Sequence, residues 1–82
     1  MIENLEILEF PTQVTNGEPS HYKKGVSFIL NGFSFSFDAN ESDFFKFFES
    51  GNYCNVEYHS ARFRLSNADS IALQNKIKEL KE

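Results

Sequence analysis

The sequence predicts an α+β fold, a small antiparallel sheet of four to five strands with two helices packed on one face, in the order β-β-β-α-β-β-α. Three observations predict it. Asn31-Gly32 separates two runs in which apolar residues alternate. Phe44, Phe45, Phe47 and Phe48 crowd behind a helix-start signal at Asn40. Leu73, Ile77 and Leu80 recur at helical spacing near the C-terminus.

In residues 1–10, Leu5 and Ile7 are offset from Leu8 and Phe10, and a strand is the preferred reading over a short helix stopped by Pro11. The stretch 11–20 holds Pro11, Gly17 and Pro19 without periodicity, so most of it is expected to be a loop. The hairpin follows. Asn-Gly suits a type I′ turn, because both central residues need φ > 0. With Asn31-Gly32 as the loop, Leu30 faces Phe33, Phe28 faces Phe35 and Val26 faces Phe37. All six then share one side of the ribbon, and Ser27, Ile29, Ser34 and Ser36 share the other.

Residues 40–51 read as a helix. Asn40 is the N-cap, Asp43 is at N3, Glu41 and Asp43 suit the positive end of the helix dipole, and Gly51 stands at C′. Wound as a helix, the four phenylalanines fall within an arc of roughly 160°. Next, Cys54, Val56 and Tyr58 alternate with polar residues, and Phe63 and Leu65 do the same with opposite parity. A straight strand cannot change parity, so a turn or bulge is expected at His59-Ser60-Ala61. The last helix starts after Ser66 with Asp69 at N3. Ile71 lies about 160° from the Leu73 stripe, facing something other than the core.

Eighty-two residues make a single domain, 1–82, with a thin stability margin. Cys54 is the lone cysteine, which fits a reducing compartment and points to the cytoplasm. No stretch approaches the roughly 18 apolar residues of a membrane helix. The first residues are acidic where a secretory signal is basic and then apolar, so no membrane partner or secretion is expected. Net charge is −4. Residues 1–20 hold Glu3, Glu6, Glu9 and Glu18 with no Lys or Arg, so the whole excess lies there. That distribution argues against a protein built to coat phosphate backbones.

No constellation carries chemistry. Cys54 and His59 have odd spacing, point to opposite faces of a regular strand and have no orienting acid near them. His21, His59, Cys54 and Asp38 lack the spacing of zinc ligands. The four glycines are scattered and form no phosphate loop. No catalytic residue, metal or cofactor is therefore expected. The ten phenylalanines exceed what so small a core is expected to bury, which suggests a partner surface.

The expected function is a non-enzymatic protein-binding module that also self-associates as a homodimer. Small inhibitors of the anti-defence kind (phage or mobile-element proteins), antitoxins and immunity proteins are the classes that fit. Tyr58, His59, Arg62, Arg64 and Ile71 are the candidate contact residues. The alternative is a nucleic-acid-binding regulator using Arg62, Arg64 and Tyr22-Lys23-Lys24. A small ligand carrier or enzyme ranks third.

Overall fold

The computed structural model describes the backbone of residues 1–82 and all side chains except those of 12–15, 19 and 20. Six strands and one α-helix follow one another: β1 (Ile2–Thr15), β2 (Glu18–Leu30), β3 (Phe33–Asp38), a 3₁₀ turn over Glu41–Phe44, β4 (Phe45–Ser50), β5 (Tyr53–Tyr58), β6 (Ala61–Ser66) and α1 (Asn67–Lys81). The strands form two separate antiparallel sheets, β1-β2-β3 and β4-β5-β6. This corrects the expected single sheet of four to five strands carrying two helices.

The first sheet is two hairpins sharing β2. The Asn31-Gly32 turn has the paired positive φ values, 51° and 84°, that a type I′ turn requires. The expected register holds: Leu30 pairs with Phe33, Phe28 with Phe35 and Val26 with Phe37. The second hairpin was not expected. Asn16 and Gly17 repeat the same geometry, with φ of 55° and 82°, and join β1 to β2 where a loop was predicted. Pro11 and Pro19 lack an N–H to donate, which argues for a loop only where a strand has neighbours on both sides. Here β1 is an edge strand throughout, and β2 meets β3 only from Gly25 onward. The distal hairpin thus projects as a two-stranded arm. The molecule measures 52 × 26 × 22 Å, and its radius of gyration of 14.2 Å exceeds the roughly 12 Å of a compact chain this long.

The second correction is the helix expected over 40–51. Asn40 makes no side-chain capping bond. The reciprocal pair forms earlier: Glu41 N–H donates to Asp38 Oδ1 at 2.8 Å, and Asp38 N–H donates to Glu41 Oε1 at 3.2 Å. One 3₁₀ turn follows, and Phe45 then leaves it in extended geometry, with φ −76° and ψ 129°. Phenylalanine favours strands. A strand needs only alternate rings to find a core, whereas the helix needs all four to do so. Gly51, at φ 65°, opens the β4–β5 turn instead of ending a helix, and Ser50 pairs with Tyr53 across it.

The parity change is a fourth hairpin, after β1–β2, β2–β3 and β4–β5. Tyr58 pairs with Ala61 across His59-Ser60, and His59 adopts φ 54°. The C-terminal helix begins as expected: the Ser66 hydroxyl accepts from Asp69 N–H at 3.2 Å. The Asp69 carboxylate accepts the Ile2 N–H at 3.3 Å, tying α1 to the start of β1.

The core lies between the sheets and under α1, which touches β1 and β2 on one side and β5 and β6 on the other. Val26, Phe28, Leu30 and Phe37 meet Phe45, Cys54, Val56, Leu65, Leu73 and Leu80 there. Rings join the two sheets: Phe37 to Phe45 at 4.6 Å and Phe35 to Phe63 at 5.6 Å between centroids. The buried hydroxyls are served, with Ser42 donating to Ala39 O at 2.6 Å and Ser70 accepting from Gln74 at 2.9 Å.

Candidate binding face

The alternation along β5 fixes which side chains face outward from the second sheet. Cys54 and Val56 are buried, and Tyr58 is half-buried on the same side. Tyr53, Asn55 and Glu57 therefore point the other way. The register extends that outer face to both neighbours. Phe48, Asn55 and Arg64 form one row across the sheet, and Lys46, Glu57 and Arg62 form the next. Three cations thus stand against one carboxylate in a chain whose net charge is −4.

Two contacts order this face. Arg62 Nε lies 3.2 Å from Glu57 Oε1. The Arg64 guanidinium sits over the Tyr53 ring, 4.0 Å from its centre, a cation–π contact that ties it to the start of β5. Between them lies a depression of about 710 Å³, whose rim includes Phe48, Asn55, Glu57, Arg62 and Arg64. Phe48 is 50% exposed. An exposed ring by itself is ordinary. One flanked by oriented guanidinium groups and a side-chain amide is the composition of a protein contact.

The structure separates the five candidate residues. Arg62 and Arg64 share the outer face. Tyr58 belongs to the inner face: its ring stacks on Phe45 at 4.1 Å and its hydroxyl donates to Glu41 Oε2 at 3.3 Å. Burial pushes that phenol above its usual pKa, and the negative charge of Glu41 adds to the effect. His59 sits in the β5–β6 turn, its ring 4.7 Å from Phe44. Ile71 is exposed on α1 near Glu49, Gly51 and Asn67. Phe48 and Tyr53 were missed. Reading residues 44–48 as a helix placed Phe48 in the core, whereas a period of two places it outside.

Of the other groups weighed, Cys54 is fully buried and is a packing residue. His59 lies in the turn beyond the end of β5, with its ring against Phe44 and Tyr58. Lys23 pairs with Asp38 at 2.7 Å, within the first sheet, so Tyr22-Lys23-Lys24 and Arg62/Arg64 stand on different sheets. Among the described residues, no group of three or more His, Cys, Asp or Glu converges as metal ligands would. No described helix is long and apolar enough to cross a membrane.

Compared with known proteins, the chain matches no family model, no curated sequence and no solved structure.

Proposed function

We propose that the chain is a cytoplasmic, non-enzymatic binding module that contacts another protein through the outer face of the β4-β5-β6 sheet. Inhibitors of the anti-defence kind, antitoxins and immunity proteins act in this manner. The observation that carries the reading is the pairing of half-exposed Phe48 with the oriented Arg62 and Arg64 around one depression. The partner suited to it presents acidic and apolar side chains together. Aromatic and arginine side chains supply most of the energy at protein contacts, commonly about 2 kcal/mol or more each.

The test compares immobilised wild-type chain with Phe48→Ala and Arg64→Glu for retention of a protein at stoichiometric level. Both variants are expected to weaken binding by about thirtyfold or more while remaining folded, Arg64→Glu with nearly the wild-type urea midpoint and Phe48→Ala with one lower by at most about 1 M. Retention of the same protein by all three would remove this face from the function. The same residues would meet a single nucleic-acid strand. Binding to an oligonucleotide that collapses as salt rises would favour that class instead.

A further inference from the structure

In the two sheets β1, β3, β4 and β6 are the edge strands, each paired on one side only. An unpaired strand edge invites another strand, and proteins block it with charges, prolines or bulges. Three of these edges carry such devices. β1 has Glu3, Glu6, Glu9 and Pro11, and its register is irregular between Glu3 and Glu6 and again after Pro11. β4 has Lys46 and Glu49, and β6 has Arg62 and Arg64. β3 has none of them from Phe33 to Phe37.

The backbone of β3 is also aimed for pairing. In a two-residue hairpin the residues flanking the turn are hydrogen-bonded to each other, and the bonded pairs then alternate. Phe33, Phe35 and Phe37 therefore bond to β2, and Ser34, Ser36 and Asp38 turn their N–H and C=O groups to the open side. The Asp38 N–H confirms the parity, because it donates to Glu41 and not to β2. Ser34 and Ser36 are exposed, and Phe33 at the end of the strand is 71% exposed.

The sequence of this edge, Phe33-Ser34-Phe35-Ser36-Phe37, reads the same in both directions. We propose that β3 pairs antiparallel with β3 of a second copy about a two-fold axis at Phe35, joining two three-stranded sheets into one of six strands. In that register Ser34 faces Ser36 of the partner copy, and each such pair exchanges both backbone hydrogen bonds. Phe35 faces its own counterpart, and exposed Phe33 faces the other copy's Phe37. Rings meet rings and hydroxyls meet hydroxyls, with no charge brought into opposition. The contact is self-complementary and closes after two chains. It uses the first sheet, so it stands or falls independently of the face on the second.

Sedimentation equilibrium across micromolar concentrations, with amide hydrogen exchange, tests this. Wild type is expected at twice the 9.5 kDa chain mass, with the Ser34 and Ser36 amides protected in a concentration-dependent way. Ser34→Pro removes an outward N–H that the monomer does not use, and it should sediment as a monomer. S34K/S36K sets lysine against lysine across the axis and should also be monomeric. S34K/S36E sets lysine against glutamate and should restore the dimer. A wild-type monomer, growth beyond two chains, fast exchange at Ser34 and Ser36 within a dimer, or a dimer unchanged in S34K/S36K would each overturn the proposal.

Discussion

Truncating Phe45 and Phe48 separately distinguishes the strand from a helix by energetics alone. The two rings stand three positions apart. On a helix they would share one face, whereas on β4 they point to opposite sides. Phe45 is buried, 4.1 Å from Tyr58 and 4.6 Å from Phe37, and it is one of the rings holding the sheets together. Phe45→Ala should cost about 3–5 kcal/mol, the range for emptying an aromatic site in a core. For a chain of 82 residues the whole stability is about 4–12 kcal/mol. With a urea dependence of about 1 kcal/mol per molar for so small a chain, the midpoint falls by about 3–5 M or the protein does not fold. Phe48 is half exposed, so Phe48→Ala loses at most about half the burial of a ring, near 1 kcal/mol. Phe45→Leu, costing about 1.5 kcal/mol or less, keeps the comparison measurable if the alanine variant is unfolded. Equal costs for Phe45→Ala and Phe48→Ala, read from urea unfolding followed by circular dichroism, would refute the alternation and the second sheet with it.

Two further outcomes follow from local geometry. A methyl group at Gly25 would stand 2.5 Å from a Phe10 ring carbon and 2.7 Å from the Phe37 carbonyl oxygen, and the latter is backbone that cannot rotate away. Gly25→Ala should therefore lower the melting temperature by about 5–15 °C, a loss larger than the gain from stiffening the unfolded chain; an unchanged or raised melting temperature would contradict the close approach of β1 and β3 to β2 at this position. The Lys23 ammonium, followed by the Glu41 backbone N–H, holds the Asp38 carboxyl below its usual pKa. That stabilisation is complete above the unfolded value of about 3.9 and is lost as pH falls through the lowered folded value. Urea midpoints should therefore fall less steeply on acidification in Asp38→Asn than in wild type, and parallel profiles would show that the carboxylate contributes nothing.

The parts of the fold legible in the sequence were those where one local signal had no competitor. Asn31-Gly32 sits between two clean alternations, so turn type and register both followed. Ser66 and the Leu73, Ile77, Leu80 stripe did the same for the helix. The failures came where two local signals disagreed. Asn16-Gly17 carried the same turn chemistry as Asn31-Gly32, but Pro11 and Pro19 outweighed it. What makes proline acceptable there is a tertiary fact, the absence of a third strand beside the arm. Residues 40–51 carried helix-cap chemistry beside strand-forming rings. Asp38 and Glu41 turned the cap signal into a single 3₁₀ turn, and Phe37 and Tyr58 then offered alternate rings a place to stack. Arg62 and Arg64 were placed correctly on one wet face, because alternation within β6 is local. Phe48 beside them could not be found without first reading β4 as a strand.

Ten phenylalanines in 82 residues suggested more rings than one core can hold. The structure replaces that count with positions. Phe28, Phe37 and Phe45 are buried, and Phe10, Phe35, Phe47 and Phe63 are partly covered at the margins of the sheets. Phe33, Phe44 and Phe48 remain exposed. Had these three formed one patch, a single hydrophobic interface would be the natural reading. Each stands in different company instead. Phe44 stacks on His59 beside the β5–β6 turn and is accounted for within the chain. Phe48 shares the outer face of the second sheet with three cations, which is why the partner proposed for it is apolar and acidic together. Phe33 ends an uncharged strand edge whose open hydrogen-bonding groups call for another strand. Under the two proposals made above, the surplus rings serve two contacts of different chemistry. Raising the salt concentration should weaken the one at Phe48, where cations contribute, and leave the one at Phe33 intact or strengthen it.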